Sequence, residues 1–346
     1  MHTHIALLFF GLLISQSLAL TYRGSDFSSL AIVEKSGVSF SDNGRVTPFE
    51  TILKRHGSNT ARIRVWTAGD YNLSYGLQLA KRVKAAGMTL IVDLHLSDTW
   101  ADPGKQAIPS SWPTTLSGLN TQMYTYAQDV VTRFAKQGTP IDILQVGNEI
   151  NNGLLWPVGE ISVNGINPVS QLLHSAINGA KSVGNPKILL HLANGWDWSD
   201  LEWWFTNVFI QGALSKDQVD IIGVSFYPFY DAGATLDALK SSLTDLAHLM
   251  KKPIVVAETD WPVSCPGVNL TEPSIAVSVA GQETWITDIK NVLTSLPSGL
   301  GQGIFYWEPG WVGSAALGSA CVDNLLVGSH GATRTSINIF NNMQRV

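Results

Sequence analysis

Hydrophobic residues in this chain form short continuous runs, separated by longer stretches in which they recur at helical spacing. The run at 141–149, IDILQVGNE, ends abruptly in Asn148 and Glu149, and the run at 252–258, KPIVVAE, ends in Glu258. Continuous apolar runs of this length are typical of strands that are buried on both faces of a sheet. The pattern therefore predicts two buried strands, each with a carboxylate at its C-terminal end.

Six further runs predict strands, and a helix or helix-like stretch follows each strand. The eight predicted strands cover residues 22–26, 60–66, 89–94, 141–149, 187–193, 219–227, 252–258 and 303–308. Buried strands that alternate with amphipathic helices predict an α/β fold with a parallel sheet covered by helices. Eight such units favour a single (β/α)8 TIM barrel. A doubly wound sheet is the alternative, but no glycine-rich nucleotide-binding motif follows the first strand.

Turn residues predict where helices begin and end. Thr47-Pro48-Phe49-Glu50 predicts a helix start with a capping box and with proline at the first helical position, and Gly57 predicts the end of that helix. No linker, repeat or low-complexity segment divides the chain. Residues 20–346 are therefore predicted to form one domain.

The first residues have the pattern of a secretory signal. An apolar core at 5–14 is followed by Ser17-Leu18-Ala19, whose small first and third residues suit a signal peptidase. An uncleaved membrane anchor is the alternative, but the apolar run is too short to span a bilayer. We therefore predict a signal peptide at residues 1–19 and a secreted, extracellular protein that is not held in a membrane.

Charge and cysteine content narrow the classes of function. Only 14% of residues are charged, the net charge is −5, and no Lys/Arg cluster could meet a phosphate backbone, so nucleic acid is not an expected partner. The two cysteines, Cys265 and Cys321, most simply form one disulfide in an oxidising compartment. Closure of the long loop between them contributes about 4 kcal/mol. The sequons at Asn72 and Asn269 are candidate N-glycosylation sites.

Polar and aromatic residues crowd the predicted strand ends, where barrels of this kind carry their active sites. In chain order they are Arg64, Trp66, His95, Asp98, Trp100, Asn148, Glu149, His191, Trp196, Asp197, Tyr227, Glu258, Trp307 and Glu308. Nine of the twelve tryptophans, at 66, 100, 112, 156, 196, 198, 261, 307 and 311, fall at strand ends or in the loops just after them. Indole rings stack on the apolar faces of sugar rings, so the set predicts a polysaccharide ligand.

Glu149 and Glu258, on the fourth and seventh strands, suit the hydrolysis of a glycosidic bond. One carboxyl protonates the leaving oxygen, and the other meets the developing oxocarbenium ion from about 5–5.5 Å away in retaining enzymes. The structural alternative is that one of them is only an ion-pair partner. A sugar-binding barrel without catalysis would be expected to lack one carboxylate, and both are present.

Several motifs resemble one family of glycosidases. They are TYRGSDFS at 21–28, ARIRVW at 61–66, LAKRVKAAGM at 79–88, DLHLSDTWADP at 93–103, GNEINNGLLWPVGE at 147–160, GVSFYPFY at 223–230, VVAETDWPVSCP at 255–266 and YWEPGW at 306–311. In this order they are similar to the endo-β-1,4-galactanases of glycoside hydrolase family 53, especially the secreted fungal ones. The resemblance implies a retaining enzyme that cleaves the galactan side chains of pectin, the type I arabinogalactans. Another retaining (β/α)8 endo-glycanase, such as a mannanase or β-glucanase, is the alternative.

The resemblance also implies roles for individual residues. Glu149 would be the general acid/base and Glu258 the nucleophile. The substrate-binding residues implied are Asn148 at the sugar 2-hydroxyl, Tyr227 and Arg64 beside the nucleophile, Trp307 as a floor, and His95, Asp98, Trp100 and His191 along the cleft. A nearby Arg64 would lower the pKa of Glu258, whereas Glu149 needs a raised pKa to act as an acid.

Departures from the family pattern are few. Asp260 stands where relatives often have asparagine, and Ala193-Asn194 stands where an acidic pair is common, which puts remote subsite preference in doubt. Bacterial relatives tie the seventh and eighth loops with calcium, whereas here Cys265 and Cys321 lie in those loops, so no metal is expected. No His/Cys ligands recur at zinc spacing either. We expect a monomer that acts on β-1,4-galactan without a cofactor.

Overall fold

A closed barrel of eight parallel strands forms the centre of the computed structural model, which describes residues 19–344. Apart from Ala19, the predicted signal peptide lies outside the described residues. The strands are β1 (Tyr22–Asp26), β2 (Thr60–Val65), β3 (Thr89–Leu94), β4 (Ile143–Val146), β5 (Lys187–Leu192), β6 (Ile221–Ser225), β7 (Ile254–Thr259) and β8 (Gly301–Trp307). They neighbour one another in chain order, and β8 closes the ring against β1. The predicted TIM barrel is confirmed, and the doubly wound alternative is wrong.

Helices cover the outside of the barrel. They are α1 (Leu30–Lys35), α2 (Phe49–Arg55), α3 (Leu73–Ala85), α4 (Leu116–Lys136), α5 (Ile161–Asn164), α6 (Asn167–Lys181), α7 (Trp198–Ile210), α8 (Leu236–Met250), α9 (Val279–Thr294) and α10 (Ile339–Gln344). The described residues contain no helix that is long and apolar enough to cross a membrane.

The start of α2 differs from the prediction. The helix begins at Phe49, one residue later than expected, and Pro48 precedes it with an extended backbone and without a side-chain capping bond. Thr47 does not cap the helix, because its hydroxyl donates to the Arg45 carbonyl. The predicted capping box is therefore wrong. A two-stranded hairpin, Ser41–Asp42 with Arg45–Val46, also precedes α2, and no hydrophobic pattern predicted it.

Alternation along the strands divides their side chains between two cores. Residues such as Leu90 and Val92 of β3 pack outward against the helices, whereas Ile91 packs into the barrel lumen. The lumen cluster takes its residues from six strands and consists of Ile91, Ile143, Leu189, Ile221, Val255, Ala257 and Phe305, with Tyr22 of β1 beside it. This apolar plug fills the N-terminal end of the lumen and leaves the C-terminal end to polar side chains.

A β-bulge interrupts the alternation in β7. Val256 pairs with Val224 of β6 and Ile304 of β8, but the next pairs are Glu258 with Ser225 and Thr259 with Tyr306. Strand β7 therefore has one more residue at this point than either neighbour. Such bulges re-aim side chains and are frequent beside active sites. Here Ala257 and Glu258 face the inside in succession, while the Thr259 hydroxyl accepts from Trp285 of α9 on the outside.

A disulfide joins the two loops that follow β7 and β8. Cys265 and Cys321 lie 56 residues apart in sequence, and their Cα atoms are 4.2 Å apart. The predicted pairing is confirmed. The loop that ends at Cys321 also brings Leu317 and Gly318 to the rim of the barrel.

Candidate active site

A cavity of about 490 Å³ opens at the C-terminal end of the barrel. Its walls come from every barrel strand or the loop after it, and they are rich in carboxylates, amides and aromatic rings. Of the residues predicted for the site, the cavity is lined by Arg64, His95, Trp100, Asn148, Glu149, Tyr227, Glu258 and Trp307. The structure therefore brings both predicted carboxyl groups to one space.

Asn148 and Glu149 lie just beyond the end of β4, where the backbone leaves the strand conformation. Gly147 has φ +83° and Glu149 has φ +49°, although residues other than glycine rarely adopt the left-handed region. Holding a glutamate in this conformation costs about 1–2 kcal/mol. Non-glycine residues held in this way cluster at functional sites. The turn directs the Glu149 side chain into the cavity, where Ser225 Oγ lies 2.6 Å from Glu149 Oε1.

Glu258 occupies the opposite wall and is held by two neighbours. Arg62 Nη1 lies 2.8 Å from Glu258 Oε1, and the Tyr227 hydroxyl donates to Glu258 Oε2 at 3.0 Å. Both neighbours stabilise the ionised carboxyl, one by charge and one by hydrogen bonding. The geometry thus fixes Glu258 at the side where Arg62 and Tyr227 converge.

Arg62 makes four hydrogen bonds inside the barrel in addition to its ion pair with Glu258. It donates to Asp26 Oδ2, Asp93 Oδ2, Gln145 Oε1 and Asn148 Oδ1, at distances of 2.7 to 2.9 Å. Its side chain is 1% exposed. Three carboxylates share this one cation, and such full satisfaction is what a buried charge requires.

Arg64 does not contact Glu258, contrary to the prediction. Its Nη1 lies 2.6 Å from Glu308 Oε1, and its guanidinium stacks between the Tyr71 ring, 4.2 Å from the centroid, and the Trp100 ring, at 4.5 Å. Arg62 and Arg64 both point into the lumen, but Arg62 alone reaches the side of Glu258. Arg64 instead packs against the aromatic rings at the cavity, because a cation packs favourably on an indole face.

The pKa values of the two glutamates are shifted by burial and by each other. Burial, and next the charge of Glu258, raises the pKa of Glu149 to about 8, against the opposing hydrogen bond from Ser225. Burial also raises the pKa of Glu258, while Arg62 acts in the opposite direction. The predicted lowering of the Glu258 pKa is therefore wrong in sign, because one arginine shared by three carboxylates does not offset desolvation. The first proton lost by the pair belongs to Glu258, which has the direct ion pair.

Two predicted cleft residues lie outside the cavity. His191 is fully buried beneath its floor, with Nδ1 2.9 Å from Asn148 Oδ1 and Nε2 2.9 Å from Ser225 Oγ. The Asp98 carboxylate accepts from the Thr67 hydroxyl and from Ser110, so it holds the loop after β3. Neither side chain is placed to line the cleft as predicted.

The tryptophans divide between the cavity and the packing around it. Trp100, Trp196 and Trp307 line the cavity, and Trp311 stacks behind Trp100 with ring centroids 6.1 Å apart. By contrast, Trp261 is fully buried and donates to the Ala276 carbonyl. The expectation that the nine tryptophans as a set contact the ligand was therefore too broad, since several of these rings only pack beneath the rim.

Arg62, Ser225 and Tyr230 are among the members of the site that the sequence analysis missed. The signal for Arg62 was present, because alternation along TARIRV puts Arg62 and Arg64 on the same face of a buried strand. Tyr230 is 59% exposed at the rim and packs edge-on against Tyr227. No pattern marked Ser225, whose importance depends on its contact with Glu149 across the barrel.

Among the described residues, no group of three or more His, Cys, Asp or Glu side chains could hold a metal ion. The cavity instead offers a carboxyl with a raised pKa, suited to giving a proton, and an ion-paired carboxyl opposite it. Glycosidases require such a pair on the two sides of the bond that they break. The aromatic walls add apolar faces of the kind that stack on sugar rings.

Comparison with known proteins agrees with this chemistry. The sequence model of glycosyl hydrolase family 53 matches residues 22–342. An arabinogalactan endo-beta-1,4-galactanase of Thermothelomyces thermophilus is 46% identical over 333 residues, which cover 93% of this chain and 99% of that one. A probable arabinogalactan endo-beta-1,4-galactanase A of Neosartorya fischeri is 48% identical over 338 residues, 94% of each chain. A solved structure from a study of two fungal beta-1,4-galactanases superposes with a TM-score of 0.90 at 45% identity, covering 93% of this chain and 99% of that one. The chain therefore belongs to glycosyl hydrolase family 53.

Proposed function

We propose that this protein is a secreted endo-β-1,4-galactanase that hydrolyses the galactan side chains of type I arabinogalactan with retention of anomeric configuration. The observation that carries the proposal is the pair of glutamates facing one cavity in a family 53 barrel. The substrate is supported by relatives whose names specify endo-beta-1,4-galactanase activity. A mannanase or β-glucanase has no such support.

In the first step, Glu258 attacks the anomeric carbon and Glu149 gives its proton to the leaving oxygen. The ion pair with Arg62 keeps Glu258 available as a carboxylate, and the hydrogen bond from Tyr227 fixes its orientation. The raised pKa of Glu149 keeps the proton that the leaving group needs. The products are a shortened galactan and a galactosyl group bound through an ester to Glu258.

In the second step, ionised Glu149 takes a proton from water, and the water oxygen attacks the anomeric carbon and breaks the ester. The loss of charge on Glu258 in the intermediate lowers the pKa of Glu149, because the repulsion between the two carboxylates is gone. The same residue can therefore act first as an acid and then as a base. Two inversions at one carbon give net retention.

Asn148 and the indoles position the sugar in this scheme. Asn148 Nδ2 donates one hydrogen to the Ala101 carbonyl and has a second one to offer to the sugar 2-hydroxyl. Trp307 and Trp100 meet edge to face, with ring centroids 6.2 Å apart, and form one wall of the cavity. Trp196 and Tyr230 also line the cavity and add further aromatic surface to it.

Proton NMR of the anomeric signals during galactan hydrolysis tests substrate and mechanism together. We expect the β-anomer of the new reducing end to appear first and the α-anomer to follow by mutarotation. Mannan and xylan serve as matched substrates and are expected to remain intact. Initial release of the α-anomer would contradict retention, and cleavage of mannan without cleavage of galactan would contradict the proposed substrate.

The dependence of kcat/KM on pH follows from the same carboxyl groups. Glu149 must be protonated in the free enzyme, so kcat/KM is expected to fall about tenfold per pH unit above a pH of about 8. On the acid side, activity is lost as Glu258 takes up a proton. A pH–rate profile with galacto-oligosaccharides measures both limbs. A basic limb that persists unchanged in Glu149→Gln would show that another group controls it.

Secretion and glycosylation complete the proposal. Removal of residues 1–19 leaves a domain of residues 20–346 that acts as a monomer outside the cell. Asn269 is exposed in the loop after β7 and is the favoured acceptor for a glycan. Asn72 is less suited, because it caps α3 and its Nδ2 donates to the Gly69 carbonyl.

A further inference from the structure

Ser225 and His191 form a hydrogen-bonded line behind Glu149 that the mechanism above does not use. Ser225 Oγ lies 2.6 Å from Glu149 Oε1 and 2.9 Å from His191 Nε2. A hydroxyl has one hydrogen, so Ser225 can donate to Glu149 or to His191 but not to both. The direction of this hydroxyl therefore depends on where the protons of its two neighbours lie.

Asn148 determines where His191 carries its proton. Arg62 Nη2 donates to Asn148 Oδ1 at 2.7 Å, and Asn148 Nδ2 donates to the Ala101 carbonyl at 2.8 Å. Because arginine cannot accept, the Asn148 atom that faces it must be the amide oxygen. The same oxygen lies 2.9 Å from His191 Nδ1, so a hydrogen bond between them requires the proton on Nδ1. Gln145 Nε2 also lies 3.2 Å from Nδ1, but its two hydrogens go to the closer Asp93 Oδ1 and Gly147 carbonyl, at 2.8 and 3.0 Å. Burial lowers the pKa of His191 well below its ordinary value, so the ring is neutral and its Nε2 can only accept.

We infer that Ser225 and His191 hold Glu149 in its protonated form in the resting protein and are positioning residues of the acid/base carboxyl. The bare Nε2 of His191 takes the hydrogen of the Ser225 hydroxyl. Ser225 Oγ then faces Glu149 as an acceptor, and only a protonated carboxyl can satisfy it. The inference rests on the proposed role of Glu149 as the acid/base.

Ionisation of Glu149 reverses the direction of the hydroxyl. When Glu149 gives its proton to the leaving oxygen, the Ser225 hydroxyl turns and donates to the new carboxylate at the 2.6 Å contact. His191 Nε2 then loses its donor, which opposes ionisation. Only the proton of Glu149 is transferred to the substrate, and the hydrogens of Ser225 and His191 stay on their own residues.

Other charged and titratable groups also face this line. Those that act on Glu149 are Glu258, Arg62, Asp102, Tyr227 and Tyr230, and those that act on His191 are Arg62, Asp93 and His95. All of them remain in place when only Ser225 or His191 is changed. A change in the pKa of Glu149 that either substitution causes is therefore attributable to the Ser225 hydroxyl and the His191 imidazole.

The test is a titration of Glu149 by 13C NMR in substrate-free protein labelled on glutamate, with the signal assigned from Glu149→Gln. His191→Phe removes the competing acceptor, so the Ser225 hydroxyl can donate to the carboxylate without loss. The pKa of Glu149 is expected to fall by about 0.5–1 pH unit, the equivalent of one neutral hydrogen bond. In the Ser225→Ala background, the same His191 substitution is expected to produce no further shift, because the coupling passes through the hydroxyl.

Two further measurements keep the inference open to refutation if His191→Phe does not fold. His191→Gln keeps an acceptor near the position of Nε2, so the Glu149 pKa is expected to stay at its wild-type value. 15N NMR of His191 in the wild-type protein is expected to show the proton on Nδ1. A proton on Nε2 of His191 would overturn the inference. So would a His191→Phe substitution that shifts the pKa of Glu149 equally in the wild-type and the Ser225→Ala backgrounds. Inactivity on galactan would overturn the proposed function and leave these substrate-free measurements intact.

Discussion

Glu258→Ala is expected to lower the rate of galactan hydrolysis by about 10⁴- to 10⁶-fold, the range that loss of a catalytic nucleophile or its partner reaches in enzymes. The residue lies at the end of β7, ion-paired to Arg62, and no other carboxylate of the cavity is positioned by the β7 bulge. Initial rates of reducing-end release measure the effect. Glu202→Ala is the matched control, because Glu202 is exposed on α7 outside the cavity. A Glu258→Ala variant with the rate of that control would contradict the assignment.

Azide separates the roles of the two glutamates. In Glu258→Ala, azide can enter the vacated space and attack a β-galactoside with a good leaving group from the opposite face, which gives an α-galactosyl azide. In Glu149→Ala, the galactosyl-enzyme still forms from such a substrate, and attack on it gives a β-galactosyl azide. NMR of the azide products distinguishes the two anomers. The opposite pairing of variant and anomer would exchange the proposed roles.

Arg62→Met is expected to destabilise the protein by about 3–5 kcal/mol, because it leaves buried carboxylates without their cation. Asp26 and Asp93 are fully buried and Glu258 is 6% exposed, so none can regain its solvation by turning to water. Activity at neutral pH is also expected to be lost, since the pKa of Glu258 rises further without the ion pair. Urea unfolding of the wild type and the variant measures the change in stability.

Arg133→Met is the matched control for this loss of stability. Arg133 and Asp129 are neighbours on α4, and their side chains are 58% and 46% exposed. Exposed pairs at this spacing contribute only about 0.3–0.5 kcal/mol. Equal losses in the two variants would show that burial does not determine the effect of Arg62, and a stable, active Arg62→Met would contradict its proposed part in holding Glu258.

The barrel was predictable from the sequence because the pattern that indicates it is repeated along the whole chain. Continuous apolar strands alternate with amphipathic helices, and the polar strand ends are conspicuous against them. Glu149 and Glu258 stand out for the same reason, since a carboxylate directly after a buried strand has few structural uses. The cysteine pair was predictable from its number alone.

Depth within the barrel was not predictable in the same way. His191 lies inside β5, one residue before its end, so Asn148 covers it and it does not reach the cavity. Arg62 and Arg64 face the same way on β2, and their partners depend on how far each guanidinium reaches across the lumen. Asp98 follows β3, but its loop folds back so that the carboxylate meets Ser110. The spacing of residues along a strand predicts on which face of the sheet each side chain lies. It does not predict how deep in the barrel that side chain lies.

The extra residue in β7 bears on any attempt to move this catalytic pair into another protein. A regular strand with Ala257 facing the lumen would point the next residue at the surrounding helices, so an idealised barrel that copied only the two glutamates would turn Glu258 away from the cavity. The irregular strand, with its pairing to β6 and β8, is therefore part of what must be transplanted.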